Sequence, residues 1–235
     1  DANNPLYFRY SYHRKYDPES PNLPPPAWGT GGNATPFEHN GRNMGLVWNH
    51  IWSPSLITSN RIAWNMMDTD RTPPIDYSVN EQLGIKGVNQ SLAGAGVFNI
   101  SGYQNVGISA FTPNLADSQT RQLVSDTTWT KGAHSVKFGI NFSWLQSYLS
   151  NPQQELGVFV FNGNYTRDPQ NNKGGDGMAD FLTGIMYRGD TSTSVYMNLR
   201  APFWQSYVQD EWRVNNRLTL NLGVRFENNQ NWVEK

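Results

Sequence analysis

From residue 134 to 144 the chain reads HSVKFGINFSW, and polarity changes at every step. Val136, Phe138, Ile140, Phe142 and Trp144 alternate with Ser135, Lys137, Gly139, Asn141 and Ser143, a period of two that only an extended strand turns into one apolar face. After Asn215-Asn216 the pattern returns: Leu218, Leu220, Leu222, Val224 and Phe226 oppose Arg217, Thr219, Asn221, Gly223, Arg225 and Glu227. No charge falls on the apolar side. Shorter versions set Ile62, Trp64 and Met66 against Arg61, Ala63 and Asn65, and Leu6, Phe8, Tyr10 and Tyr12 against Tyr7, Arg9, Ser11 and His13.

Three of these runs follow a Trp and a short polar turn. The turns are Ser53 to Ser55, Lys131 to Ala133 and Asn215-Asn216, and the strands entering them lie near 43–53, 119–130 and 202–214. About seven strands result, joined alternately by short turns and by long connections over 14–42, 69–118 and 148–200 that are rich in Pro, Gly and Asn. Compact soluble domains seldom need repeated connections of that length, whereas an outer-membrane barrel has short periplasmic turns and longer external loops. Trp52, Trp129 and Trp212 are then expected in the periplasmic aromatic girdle, where the ring is buried and the N–H stays wet. Tyr12 and Trp144 are expected at the other rim.

The lipid face is read as Val136, Phe138, Ile140, Phe142, Leu218, Leu220, Leu222, Val224 and Phe226. The lumen face is read as Arg61, Lys137, Asn141, Asn221, Arg225 and Glu227, most of them solvated wall residues. Two features strain this reading. His50, Thr127 and Asp210 share the outward face with the three Trp, so Asp210 must sit near the rim, where a charge costs about 0–1 kcal/mol rather than ~2–4 at the midplane, or a bulge must change the register. A small residue, Ala63, Gly139 or Gly223, recurs on the polar face, which relieves crowding, permits a close approach or reflects strand twist.

The totals agree with a two-faced wall. Nine Trp, eleven Tyr and eleven Phe coexist with a mean hydropathy of −0.63, because each apolar residue is followed by a polar one. The 18 basic and 19 acidic residues leave a net charge of −1 without long runs, so nucleic acid is not an expected partner. With no Cys, neither disulfides nor thiolate chemistry is available. No stretch of about 18 apolar residues predicts a transmembrane helix. The opening DANNPLYFRY lacks a basic n-region and an apolar h-region, so a mature form or an internal fragment is expected.

No H-E-x-x-H, P-loop or G-x-S-x-G is found, and neither catalysis nor a cofactor is expected. His13, His39, His50 and His134 are far apart, and no shared metal site is expected of them. Asp168, Asn171, Asn172, Asp176 and Asp180 offer oxygen atoms of the kind calcium takes but not the EF-hand spacing, so a flexible external loop is the expected role. Loop aromatics Trp28, Phe37, Phe98, Tyr103, Phe111, Phe159, Phe161 and Tyr165 either pack the loops, the favoured reading, or form an external binding surface. MADFLTGIM, 178–186, fits a short helix or turn.

Four segments, NHIWSPSLITSNRIAWN (49–65), DTTWTKGAHSVKFGINF (126–142), MADFLTG (178–184) and SYVQDEWRVNNRLTLNLGVRFE (206–227), resemble the barrel region of TonB-dependent outer-membrane receptors, particularly the Oar-like branch. The resemblance implies an all-β fold, an antiparallel up-and-down transmembrane β-barrel fragment, with residues 1–235 forming part of one barrel domain. It also implies a bacterial outer-membrane location, a lipid bilayer around the wall, a plug domain and the TonB energy-coupling complex in the complete protein, and uptake of an unidentified small solute. Neither a plug nor a TonB box is seen here, so the chain alone is not expected to transport. A soluble β-sandwich that binds carbohydrate and a passive porin or adhesin barrel are the alternatives.

Overall fold

The computed structural model describes residues 3–28, 32–33, 35–150 and 153–234. In chain order the elements are β1 (Leu6–Asp17), β2 (Ser20–Pro21), β3 (Gly32–Asn33), β4 (Phe37–Ser53), β5 (Leu56–Arg71), α1 (Val79–Gln82), β6 (Val97–Ile100), β7 (Asn114–Lys131), β8 (His134–Ser150), β9 (Val158–Phe161), α2 (Gly177–Thr183), β10 (Arg188–Asp190), β11 (Tyr196–Asn215), β12 (Leu218–Asn229) and β13 (Val233–Glu234). The long strands form one antiparallel meander, β1-β4-β5-β7-β8-β11-β12, and β13 pairs with β11 beyond the end of β12. Each long strand pairs with its sequence neighbours, so the soluble sandwich is not formed. Apolar side chains Ile62, Phe138, Ile140, Phe142, Leu222, Val224 and Phe226 stand exposed on the wall rather than against a second sheet.

The strands run longer than hydrophobic alternation indicates. β7 has 18 residues and β11 has 20, against about 9–11 needed to cross a bilayer. The surplus lies on the side of the long connections, which shorten to 18–36, 72–113 and 151–195. Polar cross-strand pairs carry the ladder there: Arg14 donates to both carboxylate oxygens of Glu38 at 2.9 and 3.1 Å, Asn40 donates to Asp68 at 3.0 Å, and His39 Nδ1 lies 2.8 Å from Thr69 Oγ1. Such pairs hold a sheet as well as apolar ones do, yet leave no hydrophobic period to read.

At the opposite end the three turns are two residues long. Gly132 takes φ 60°, which a residue without Cβ adopts freely. The Ser55 amide donates to Ser53 Oγ at 3.2 Å and the Arg217 amide to Asn215 Oδ1 at 2.8 Å, so local side chains close the other two.

The long connections are not independent loops. Trp28 from the first, Val79, Ala95 and Ile108 from the second and Leu156 from the third form one buried cluster. A second cluster joins Ile100, Phe159 and Phe161 with Phe98, Met178 and Phe181 around the small sheet β10-β9-β6. Within that sheet β6 and β9 pair in parallel, so two connections share backbone hydrogen bonds. Fully buried Asn80 links them again, donating to the Leu156 carbonyl at 2.8 Å and accepting from the Gly96 amide at 3.0 Å. We call this assembly the cap.

Candidate functional site

Register sorts the wall into two faces. On one, Thr58, Thr127, Phe138, Val208 and Val224 lie directly opposite one another, and the row of Ile62, Leu123, Phe142 and Trp204 lies further from the short turns. All nine residues expected on the apolar side share this face. On the other, Ser59, Asp126, Gly139, Tyr207 and Arg225 form one row, and Arg61, Val124, Asn141, Gln205 and Glu227 the next.

Polar groups converge over those two rows. Tyr207 donates to Asp126 Oδ1 at 2.8 Å, and Arg61 reaches Asp126 Oδ2 at 2.5 Å, so one carboxylate ties together β5, β7 and β11. Arg225 pairs with Glu227 at 2.5 Å and donates to Gln205, while Gln122 donates to Asn141 at 3.1 Å. All of these except Glu227 line a recess of about 340 Å³. Arg61, Asn141 and Arg225 are thereby brought together, and Glu227 joins them only through its pair with Arg225. Lys137 pairs with Gln209 nearer the turns, and Asn221 lies a further row away, opposite Glu211. The recess offers paired charges and amides, a surface suited to hydrogen bonding.

Gly139 explains how the network closes. A Cβ there would lie 2.5 Å from Asp126 Oδ1, 2.7 Å from the Ser125 carbonyl and 2.9 Å from Tyr207 Cε1. The Tyr207 ring therefore crosses over Gly139 to meet Asp126, the close approach that a small residue on the polar face permits. Gly223 is less confined, with Val208 O at 3.2 Å from its ideal Cβ, so the three small residues are not equivalent.

The awkward polar residues beside the tryptophans have partners. Asp210 opposes Val136 two pairs from the end of β8, accepts from His134 Nδ1 at 2.7 Å, and needs no bulge before it, since the register slips only between Arg213 and Asn215. His134 stacks on Trp212 at 5.4 Å. His50 bonds Asn4 and meets Trp52 edge-on at 4.1 Å, and Thr127 bonds Thr58 at 3.1 Å, which in turn accepts from Trp52 Nε1 at 3.1 Å. Lys131 lies over the Trp129 ring at 5.5 Å. At the other end of the apolar band Trp144 and Trp64 flank Arg121, in the row that contains Tyr10, and Tyr12 lies one row beyond.

In the cap, Trp28, Phe98, Phe159 and Phe161 pack inward, Phe37 meets His39 at 4.1 Å, and Tyr103, Phe111 and Tyr165 remain exposed. The oxygen-rich loop divides its groups among local tasks. Asp168 accepts from the Gln170 amide at 2.9 Å and from Asn171, and Asp176 caps α2 through the amides of Met178 and Ala179. Asp180 is fully buried, accepting from Thr166 Oγ1 at 2.9 Å. Burial pushes its carboxyl up, but hydrogen bonds from the Thr166 side chain and the backbone of Tyr165, Gly163 and Thr166 outweigh that and hold it below the usual aspartate value. Among the described residues no group of three His, Cys, Asp or Glu is placed to hold a metal ion.

Sequence reasoning did not single out Asp126, Tyr207, Asn80 or Glu155. The first two occupy polar-face positions, the signal that marked Arg61; the last two sit in connections without periodicity.

The sequence matches, over residues 1–235, the family described as outer membrane beta barrel domain. The chain belongs to that family, and its location is the bacterial outer membrane. No curated protein matches it significantly. Among solved structures it is similar to the outer membrane transporter YddB from Escherichia coli, at 10% identity and a TM-score of 0.42, over 97% of this chain and 26% of that one. The chain thus spans about a quarter of that transporter's length.

Proposed function

We propose that the chain is a sector of the wall of a TonB-dependent outer-membrane transporter that takes up a small solute, with transport residing in the complete protein. The face bearing Val136, Phe138, Ile140, Phe142, Leu218, Leu220, Leu222, Val224 and Phe226 meets lipid, and Trp52, Trp129 and Trp212 form the girdle at the periplasmic turns. Arg61, Lys137, Asn141, Asn221, Arg225 and Glu227 face the lumen, available to a plug or a passing solute. One observation carries this reading: unpacked apolar rows back directly onto a charged, hydrogen-bonded recess across a single sheet. Water on both sides would leave the apolar rows unsupported, and hydrocarbon on both sides would strand Arg61 and Asp126.

Nitroxides at Ile140 and Leu222 of the complete protein in vesicles should relax with dissolved oxygen and be shielded from an aqueous nickel chelate, and one at Asn141 should do the reverse. Equal accessibility would sink the sidedness. TonB dependence is tested separately: the complete protein in detergent should be retained on immobilised TonB periplasmic domain. A correctly sided barrel that is not retained would be a passive porin or an adhesin.

A further inference from the structure

Glu155 is only 2% exposed, yet no cationic side chain pairs with it among the described residues. Among the described residues its one side-chain partner is the hydroxyl of Ser194, which donates to Oε1. Glu155 forms part of the lining of a recess of about 470 Å³ in the cap, together with Gly87, Val88, Asn89 and the run Thr191, Ser192, Thr193 and Ser194. The hydroxyls of Thr191, Ser192 and Thr193 form no hydrogen bond within the described chain.

This carboxylate is held rather than loose. The turn that contains it closes through the Gly157 amide on the Gln154 carbonyl at 2.9 Å, and the Gln154 amide donates to the Ala110 carbonyl at 2.7 Å. On the other side the Leu156 carbonyl accepts from Asn80 and the Leu156 side chain packs in the core with Trp28, while the Glu155 carbonyl accepts from the Asn89 amide at 3.1 Å. Four bonds and a buried anchor therefore fix the backbone that carries the acid before anything binds, which lowers the ordering cost of binding. Burial pushes the Glu155 carboxyl up, the direction expected of an acid that lacks a countercharge.

We propose that this recess binds a small solute bearing a primary ammonium group beside hydroxyls, the ammonium pairing with Glu155 and the hydroxyls meeting Thr191 to Thr193. An ammonium supplies the missing charge and three donors, and the free threonine and serine hydroxyls both donate and accept. Neutral polyols satisfy the hydroxyls but leave the carboxylate uncompensated. The inference goes beyond the transport reading and does not need it, because binding is measured without transport.

Glucosamine and glucose are the probes, identical except that an ammonium group replaces the 2-hydroxyl. Calorimetry on the complete protein in detergent micelles should give glucosamine an affinity at least about tenfold above glucose. Glu155→Gln should abolish that preference while leaving the strand circular dichroism unchanged, and Thr193→Val should weaken glucosamine less. Absence of glucosamine binding, equal binding of the two sugars, or an undiminished preference in a folded E155Q protein would overturn the proposal. Should E155Q not fold, the comparison of sugars on the unsubstituted protein still decides.

Discussion

The wall and the cap are built from one chain by opposite rules. In the wall each strand pairs with its sequence neighbours, so the fate of a side chain follows from its parity along the strand and its distance from a two-residue turn. In the cap, stability comes from residues that meet only because three hairpins have already brought their connections together: Trp28, Val79, Ala95, Ile108 and Leu156 share a core, and Asn80 bridges two backbones. The wall leaves whole apolar rows exposed, whereas the cap gathers part of its apolar residues into two buried clusters and leaves others, such as Leu83 and Leu182, exposed. The cap thus has a small core of its own beside a sheet whose apolar face is exposed, which teaches that the two should respond separately to substitution.

The strongest attempt to break that separation is Trp28→Ala. Removing a fully buried Trp is expected to cost about 3–5 kcal/mol, here concentrated in the cap. Hydrogen exchange should quicken at the Gly107 amide, which bonds the Ala27 carbonyl, while amides in β7 and β8 keep their protection. Equal loss in both regions would mean that wall and cap fold as one unit.

Gly139→Ala makes the reciprocal test. Its Cβ meets the Ser125 carbonyl and wedges between Asp126 and Tyr207, so a loss of about 1–3 kcal/mol is expected from overpacking. Urea titration in micelles followed by circular dichroism should show a lower midpoint, with exchange at Gly107 unaltered. Tyr207→Phe deletes one hydrogen bond but leaves Arg61 on Asp126, so a smaller loss of about 1 kcal/mol is expected. Substituting Gly223 with Ala should cost less than the Gly139 change, because its surroundings are looser.

What could be read in advance follows the same division. The run from Val136 to Trp144 announced a strand and its two faces because parity is a local property, and the Trp before each turn located the hairpins. The sequence restricts Asp210 to the rim or to a bulged register, but its partner His134 lies on another strand and emerges only from register. Likewise the small residue at 139 is visible in the sequence, while the ring that covers it comes from β11. The cap was opaque for a physical reason: Asn80 and Glu155 act through single contacts with distant backbone or hydroxyl groups, and such contacts impose no period on neighbouring residues. Strand ends were underestimated because polar ladders such as Arg14 with Glu38 lack apolar alternation.

The smallest effect expected sharpens the comparison inside the cap itself. Asp180 has its folded value held below the ordinary aspartate range near ~3.9, so its contribution is complete above that value and is lost as pH falls through the lower folded one. Glu155 has the opposite sign. Its folded value lies above the ordinary ~4.3, so its contribution is present below that pH and is lost as pH rises through the folded value. Exchange should therefore quicken in strong acid at the Ile185 amide, which bonds the Asp180 carbonyl, and quicken on the rising side of ~4.3 at the Asn89 amide, which bonds the Glu155 carbonyl. After correction for intrinsic exchange, Asp180→Asn should abolish only the first change and Glu155→Gln only the second. If both amides moved together with pH, the two carboxyls would belong to one cooperative unit, and the cap could not be divided into an α2 end and a Glu155 end.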